Sequence, residues 1–353
     1  MTQELQEIRT LAREFATAEL RPHTEAWDAA AGLDSEVRGK VAELGFFGML
    51  VPEADGGMGF DAGTWAAALE ELAWGEPAVA LLLMHSVLAG DYIARFGSDE
   101  LKEQWLGRLA AGEDTAAIAF AEDADGGVSA AQEDGGWRIR GRKRWVAGGD
   151  SAAMLLVSAA TSDGAAVFAV PAGSGVDVAG RHATLGFRPL PLVDIELDVV
   201  VPVAARLDGA AEAATDDVLG RLSTAALAVG IAQAALDHAV RYGGEREQFG
   251  RPIREFEGIQ RKLADMAIRI TAARALVQQA AAAPDDGARA AMAKVDASEC
   301  AMFVTTEAVQ IFGGYGYMRD YPVEKLMRDA KATEIMHGPN EMLRVRIAES
   351  LHS

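Results

Sequence analysis

The chain has 353 residues, 50% hydrophobic and 24% charged, an ordinary globular composition that excludes a disordered chain. Its 53 acidic against 33 basic residues leave a net charge of −20, which repels polyanions and argues against nucleic acid or an anionic membrane as a partner. The single cysteine, Cys300, excludes an internal disulfide and fits a reducing, cytoplasmic setting; at this length two or three packed units are expected.

The first residues, "MTQELQEIRTLAREFA", read as an amphipathic helix, unlike the basic-then-apolar pattern of a secretory leader. Helical periodicity broken by glycine turns continues to about residue 115. Its longest apolar run, "PAVALLLMHSVLAG", is interrupted by His85 and too short to span a bilayer, so it predicts a buried helix. Short β-branched or alternating segments follow, "WRIRGRKRWVAGG", "MLLVSAAT", "AAVFAVPAG" and "VDIELDVVVP", and predict a small β domain. Long Ala-rich helical patterns then return. Ile259, Leu263, Met266, Ile270 and Val277 recur on one face, "PDDG" ends that helix, and the next closes on paired glycines. The reading is a multidomain α+β chain: a helical domain over 1–115, a β-barrel or sandwich over 116–208 and a helical bundle over 209–353.

Several candidate groups read as structural. Cys300 is a small apolar residue in a helix, and His23, His85, His182, His238 and His352 show no metal-ligand spacing, so no metal site is expected. "GGYGYM" follows a helix and does not fit a Rossmann phosphate turn. The basic run "RIRGRKRW" (138–145) suits either a CoA phosphate or acidic partner, or a solvated β-edge blunted by charge.

Two C-terminal stretches carry denser chemistry: "REQFGRPIREFEGIQRKLADM" (246–266) and "QIFGGYGYMRDYPVEKLMRDAKATEIMHGPNEMLR" (310–344). Arg246 stands beside an aromatic and a Gly-Arg-Pro turn, where a guanidinium can grip a phosphate; a salt-bridged helix end is the plainer alternative. With "LVPEADGGMGFD" (50–61) and "FGSDELKEQWLGRLAAGE" (96–113) upstream, the whole chain resembles the acyl-CoA dehydrogenase family. That resemblance implies FAD held between an N-terminal helical domain, a middle β domain and a C-terminal four-helix bundle. It also implies tetramers of paired subunits and α,β-desaturation of acyl-CoA or another acyl thioester, with electron-transfer flavoprotein as acceptor.

In the family each flavin ring lies on its own subunit's β domain, while a neighbouring subunit grips the adenosine and pyrophosphate. By resemblance the donated half is present here: Arg246 matches the pyrophosphate arginine, Phe249 the adjoining aromatic, and Gln310 and Gly314 the residues of "QIFGG" that approach FAD. Glu257 departs from a common Gln. The ring half looks eroded: Trp145 is kept, but Ala121, Ala147 and Pro339 stand where threonines normally bond the cofactor, and Gly127 where a serine touches the ligand. Three absent hydroxyls remove roughly 1.5–4.5 kcal/mol of affinity if nothing substitutes.

Removal of the α-proton needs a fixed base. The family's two glutamate positions fall on His337, in "IMHGPNE", and Gly220, in "DVLGRL", so neither holds a carboxylate. Imidazole titrates near neutrality and keeps His337 as a candidate catalytic base, the alternative being a histidine filling a relic pocket. Asp216 and Asp217 precede Gly220 and reach inward only if the helix start shifts; N-capping is the expectation for them. Two functions follow: a subunit completing the FAD site of a homologous, base-bearing dehydrogenase subunit, or a self-sufficient dehydrogenase, oxidase or hydroxylase using His337.

Overall fold

A computed structural model of the protein describes residues 3–121, 127–133 and 135–352. The N-terminal helices are α1 (Gln3–Phe15), α2 (Thr24–Ala30), α3 (Val37–Glu43), α4 (Ala62–Gly75), α5 (Pro77–Phe96) and α6 (Asp99–Ala110). Their starts are chemically marked. Asp61 accepts from the Thr64 N–H to cap α4, Ser98 caps α6 through Leu101 N–H, and Glu76 with Pro77 opens α5. At 20 residues α5 is longer than its apolar run and passes a length test for a membrane span, yet 83% of its most apolar window is buried inside the protein.

The middle strands are β1 (Ala116–Ala119), β2 (Ser129–Glu133), β3 (Gly136–Ala147), β4 (Met154–Thr161), β5 (Gly164–Pro171), β6 (Val176–His182), β7 (Leu192–Pro202) and β8 (Arg206–Leu207). They form one mixed sheet in the order β6-β7-β3-β2-β4-β5-β8, with β1 parallel to β4. One apolar cluster, including Ile139, Phe168 and Ile195, lies within the sheet's own fold. A second joins Met154, Leu156 and Val167 to Tyr92, Ile93, Leu101 and Trp105, fastening the sheet to α5 and α6.

The strand carrying the basic run is not an edge. β3 pairs with β7 along nearly its whole length and with β2 on the other side. Arg138 and Arg140 meet Asp198, and Arg142 meets Asp194, so an acidic β7 pairs with the run while Arg140 and Arg142 stay about half exposed to solvent.

The C-terminal part comprises α7 (Ala210–Asp216), α8 (Val218–Glu245), α9 (Glu257–Ala281), α10 (Gly287–Phe312), α11 (Val323–Thr333) and α12 (Asn340–Ser350), with a small ribbon of β9 (Glu247–Gln248) and β10 (Arg251–Pro252) between α8 and α9. Small residues let α8 lie close to its neighbours. A Cβ on Gly230 would stand 2.3 Å from the Glu70 carbonyl oxygen, so only glycine allows α4 and α8 to meet there. On α9, Met266, Ile270 and Val277 are buried and Ile259 and Leu263 partly so, as the periodicity predicts. α11 is pinned by charge: buried Lys325 donates to Glu76 and Asp329, each at 2.8 Å, and Asp329 accepts the Phe187 N–H at 2.6 Å.

Candidate functional site

α8 organises the site because something chemical stands at each of its ends. At 1.5 Å per residue its 28 residues span about 42 Å.

At the C-terminal end, Arg246 is the cap residue, its N–H bonded to the Tyr242 carbonyl. Tyr242 stacks on Phe312 of α10 with ring centroids 4.0 Å apart, which brings the end of α10 alongside. Gln310 lies exposed on the last turn of α10, and Gly314 follows in a 3₁₀ turn where an added Cβ would meet nothing within 4 Å. The Arg246 guanidinium lies 5.8 Å over Tyr315 and, among the described residues, pairs with no carboxylate. Phe249 is 94% exposed at φ +50°. The structure thus gathers Arg246, Gln310 and Gly314 on one exposed end, with Phe249 three residues beyond Arg246. Glu257 faces Arg261 at 2.5 Å in a helix-surface pair.

At the N-terminal end, α7 stops at Asp216, and Asp217 turns the chain into α8 in the left-handed region, φ +45°. The sequence expectation for Asp217 was N-capping. It occupies the N-cap position of α8 but caps nothing; its Oδ2 lies 2.6 Å from Nδ1 of His337. His337 stands between α11 and α12, itself left-handed at φ +53°. Gly220 is the third member: a Cβ there would lie 2.2 Å from Asp217 Oδ1 and 2.4 Å from His337 Nδ1. The segments bearing Gly220 and His337 therefore meet at one point in space.

The loop carrying His337 is fixed from below. Lys294 of α10, fully buried, donates to the Glu334 carbonyl (2.9 Å), the Gly338 carbonyl (2.7 Å) and Asn340 Oδ1 (2.8 Å). Burial pushes this amine down to about 7, but three acceptors match the three donors of the ammonium form, so the loop is built around the charged lysine. His85 of α5, expected to be merely structural, packs edge-on against the His337 ring at 5.8 Å between centroids. Burial, and then the neighbouring His337, lower His85 to about 3, so it stays neutral; a backbone hydrogen bond links it to Ala147, and its Nδ1 is buried without a partner. Nothing in the local sequence announces this contact, which crosses some 250 positions of chain.

Trp145, on β3, is 47% exposed at φ +55°, with the Arg144 guanidinium 4.6 Å over its ring. The β3–β7 register shifts between Lys143 and Val146, and in that irregularity the Trp145 N–H reaches Asp194 at 3.3 Å. Ala147 sits two residues on, beside His85. Ala121 is exposed and Gly127 partly buried; the segment 122–126 between them, part of the "AEDADGGV" stretch, lies outside the described residues. Pro339 immediately precedes α12. Cys300 is buried, its thiol pushed up to about 12 by burial, and belongs to the core.

Family models for the acyl-CoA dehydrogenase N-terminal, middle and C-terminal domains match residues 2–113, 110–200 and 209–352. The chain belongs to the acyl-CoA dehydrogenase family. It is 36% identical over 373 aligned residues to an acyl-CoA dehydrogenase of Bacillus subtilis, covering 99% of this chain and 98% of the relative. Its fold is similar to butyryl-CoA dehydrogenase from Megasphaera elsdenii, with a TM-score of 0.96 and 34% identity over 100% of this chain and 99% of that one. It is equally close, TM-score 0.96 and 35% identity over 99% and 98%, to a chain in a structure of the electron transferring flavoprotein of Acidaminococcus fermentans concerned with flavin-based electron bifurcation. As a member of this family the protein is an oxidoreductase acting on CH–CH bonds, and its cofactor is FAD. The residues present fit that cofactor: an unpaired exposed guanidinium and an open glycine backbone at one end of α8, and a half-exposed tryptophan on the sheet.

Proposed function

We propose that this acyl-CoA dehydrogenase family member oxidises an acyl thioester at a flavin site built by two protomers, with His337 as the base. The observation that carries the reading is the length of α8. Arg246 and the His337–Gly220 cluster stand at its opposite ends, about 40 Å apart by helical rise, farther than one dinucleotide reaches. That separation supports a site shared between protomers, in which each chain offers a donor half to one site and a base half to another.

Bound FAD supplies the two-electron acceptor for the β-hydrogen. Arg246, Phe249, Gln310 and Gly314 hold the cofactor of the neighbouring protomer, and Trp145 walls the ring side of its own. His337 takes the α-proton, its Nδ1 occupied by Asp217 and its loop held by Lys294. The acyl group is carried by CoA in this reading, and electron-transfer flavoprotein is the proposed acceptor, given the similarity to the Acidaminococcus chain.

A second reading, with the neighbour a homologous base-bearing subunit, keeps the support of Ala121, Ala147 and Pro339, none of which can offer a hydroxyl. The chain purified alone separates the two. Bound FAD and dye-coupled oxidation of acyl-CoAs, with His337→Ala losing at least about 100-fold in rate, are the expected results. A colourless, inactive chain that gains both only with a homologous partner sinks the self-sufficient reading.

A further inference from the structure

We infer that Asp217 is a positioning residue for His337, and that the two form a preset His–Asp pair for which Gly220 keeps the space. The inference rests on the reading of His337 as the base and adds how that base is oriented.

A helix N-cap aspartate ordinarily spends its carboxylate on the free N–H groups of the first turn. Asp217 makes no such bond and instead places Oδ2 2.6 Å from His337 Nδ1. An ionised carboxylate only accepts hydrogen bonds, so Nδ1 carries the proton, and in the neutral ring the lone pair lies on Nε2. Among the described residues Nε2 makes no hydrogen bond, nor does it figure among the buried unsatisfied atoms; with the side chain 8% exposed, it keeps a narrow unpaired edge rather than an open face. Of the described residues, neutral His85 stands edge-on to the ring and Lys294 beneath the loop, while Tyr92 and Arg221, the latter paired with Asp216, lie on the Asp217 side.

The chain gives up ordinary backbone at both members of the pair, since each is a non-glycine residue in the left-handed region. It also excludes a side chain at 220, where any Cβ would overlap both Asp217 Oδ1 and His337 Nδ1. A glutamate at 220 and a glutamate at 337 are alternatives; the His–Asp pair needs both positions, one for the imidazole and one left empty. In the step itself the Nε2 lone pair forms an N–H bond, the α-C–H bond breaks, and its electron pair passes into the thioester carbonyl. The resulting imidazolium is paired at once with the Asp217 carboxylate.

Asn tolerates the left-handed region as well as Asp does, so Asp217→Asn keeps the turn while removing the charge that dictates the tautomer. Gly220→Ala disturbs the pair without changing either member. Two readouts apply to the holoenzyme and both variants. In 15N-labelled protein without substrate, wild type should show a downfield Nδ1–H proton on His337 that both variants lose. In dithionite-reduced enzyme in D2O, α-proton exchange should be followed by NMR over short, long and aryl-bearing acyl-CoAs. Exchange should fall roughly 100-fold in each variant with half-saturation changed less than about threefold, the lower end of a positioned base's contribution. Loss of exchange in His337→Gln with Asp217→Asn unchanged in both readouts overturns this inference and leaves His337 as base. Full exchange in His337→Gln, or none in wild type with any acyl-CoA, overturns the base reading and this one with it.

Discussion

Backbone strain in this protein is concentrated where the chemistry is. Among the described residues the non-glycine positions with positive φ are Ala31, Trp145, Phe187, Asp217, Phe249 and His337, and four of these six belong to the candidate site. Each costs about 1–2 kcal/mol, and the surroundings must offset it. For His337 the offset is visible: Lys294 ties down both flanks of the loop. Lys294→Met is expected to leave two carbonyls and Asn340 Oδ1 without their donor, lowering stability by about 2–4 kcal/mol and loosening His337. Denaturant titration together with the acyl-CoA oxidation rate checks this; unchanged values of both would show that the loop stands without the lysine. Phe249 is 94% exposed and, among the described residues, makes a ring contact with Phe256 alone, so no such offset is visible for it. Phe249→Gly is therefore expected to leave the flavin-free protein equally stable or up to about 1 kcal/mol more so, while FAD affinity falls by about tenfold. A destabilised apoprotein would mean that the ring packs against something within the protomer.

At the scale of elements, the sequence announced the architecture better than the site. Alternating strands between helical blocks, the turn at "PDDG" and the apolar face of α9 are local patterns, and each appears in the fold. The long motif "YPVEKLMRDAK" was equally legible as part of the family resemblance, and its charged residues turn out to be structural. Lys325, Arg328 and Asp329 are fastening groups that pin α11 to α5 and α2 and to Phe187, and so aim the loop after it. What could not be read was anything set by a turn's handedness or by long-range packing. Asp217 abandons its capping role where the backbone goes left-handed, and His85 reaches His337 only once α5 and the loop between α11 and α12 are packed together. The edge reading of the basic run on β3 failed for the same reason, since β3 is paired on both sides and its arginines meet Asp194 and Asp198 of β7. Asp194 gathers Arg142 (2.6 Å), His182 (2.8 Å) and the Trp145 N–H. Burial raises this carboxyl, and His182 and Arg142 more than reverse it, leaving it below the ordinary carboxylate range. A depressed carboxyl contributes stability above its unfolded pKa and loses it as pH falls through the folded one. Asp194→Asn is thus expected to cost about 1–3 kcal/mol at pH 7 and progressively less in acid, with Trp145 fluorescence shifting as its bulge is released. A cost independent of pH would assign the effect to packing.

At the scale of the whole molecule, the decisive quantity is the separation that α8 imposes between its two ends. On the proposed reading, a two-fold pair takes the donor surface of each site from one protomer and the base from the other. This makes damage complementable. Arg246→Ala removes the donor half a protomer lends, and His337→Ala the base half it keeps, so each homomer is inactive for a different reason. Mixing the two under conditions that exchange subunits should rebuild one intact site in every mixed pair: the ring half of the Arg246→Ala protomer served by the donor half of the His337→Ala protomer. Random exchange makes half of the pairs mixed, each with one working site of two, so activity should recover to about a quarter of wild type. A double variant carrying both changes, mixed with either single variant, should recover nothing, because no pair then holds an intact arginine and an intact histidine in the required arrangement. No recovery in the first mixture, after subunit exchange has been verified by mass spectrometry, would place both residues at one protomer's site and contradict the separation that α8 imposes; recovery in the double-variant control would show that a site works without its arginine or its histidine.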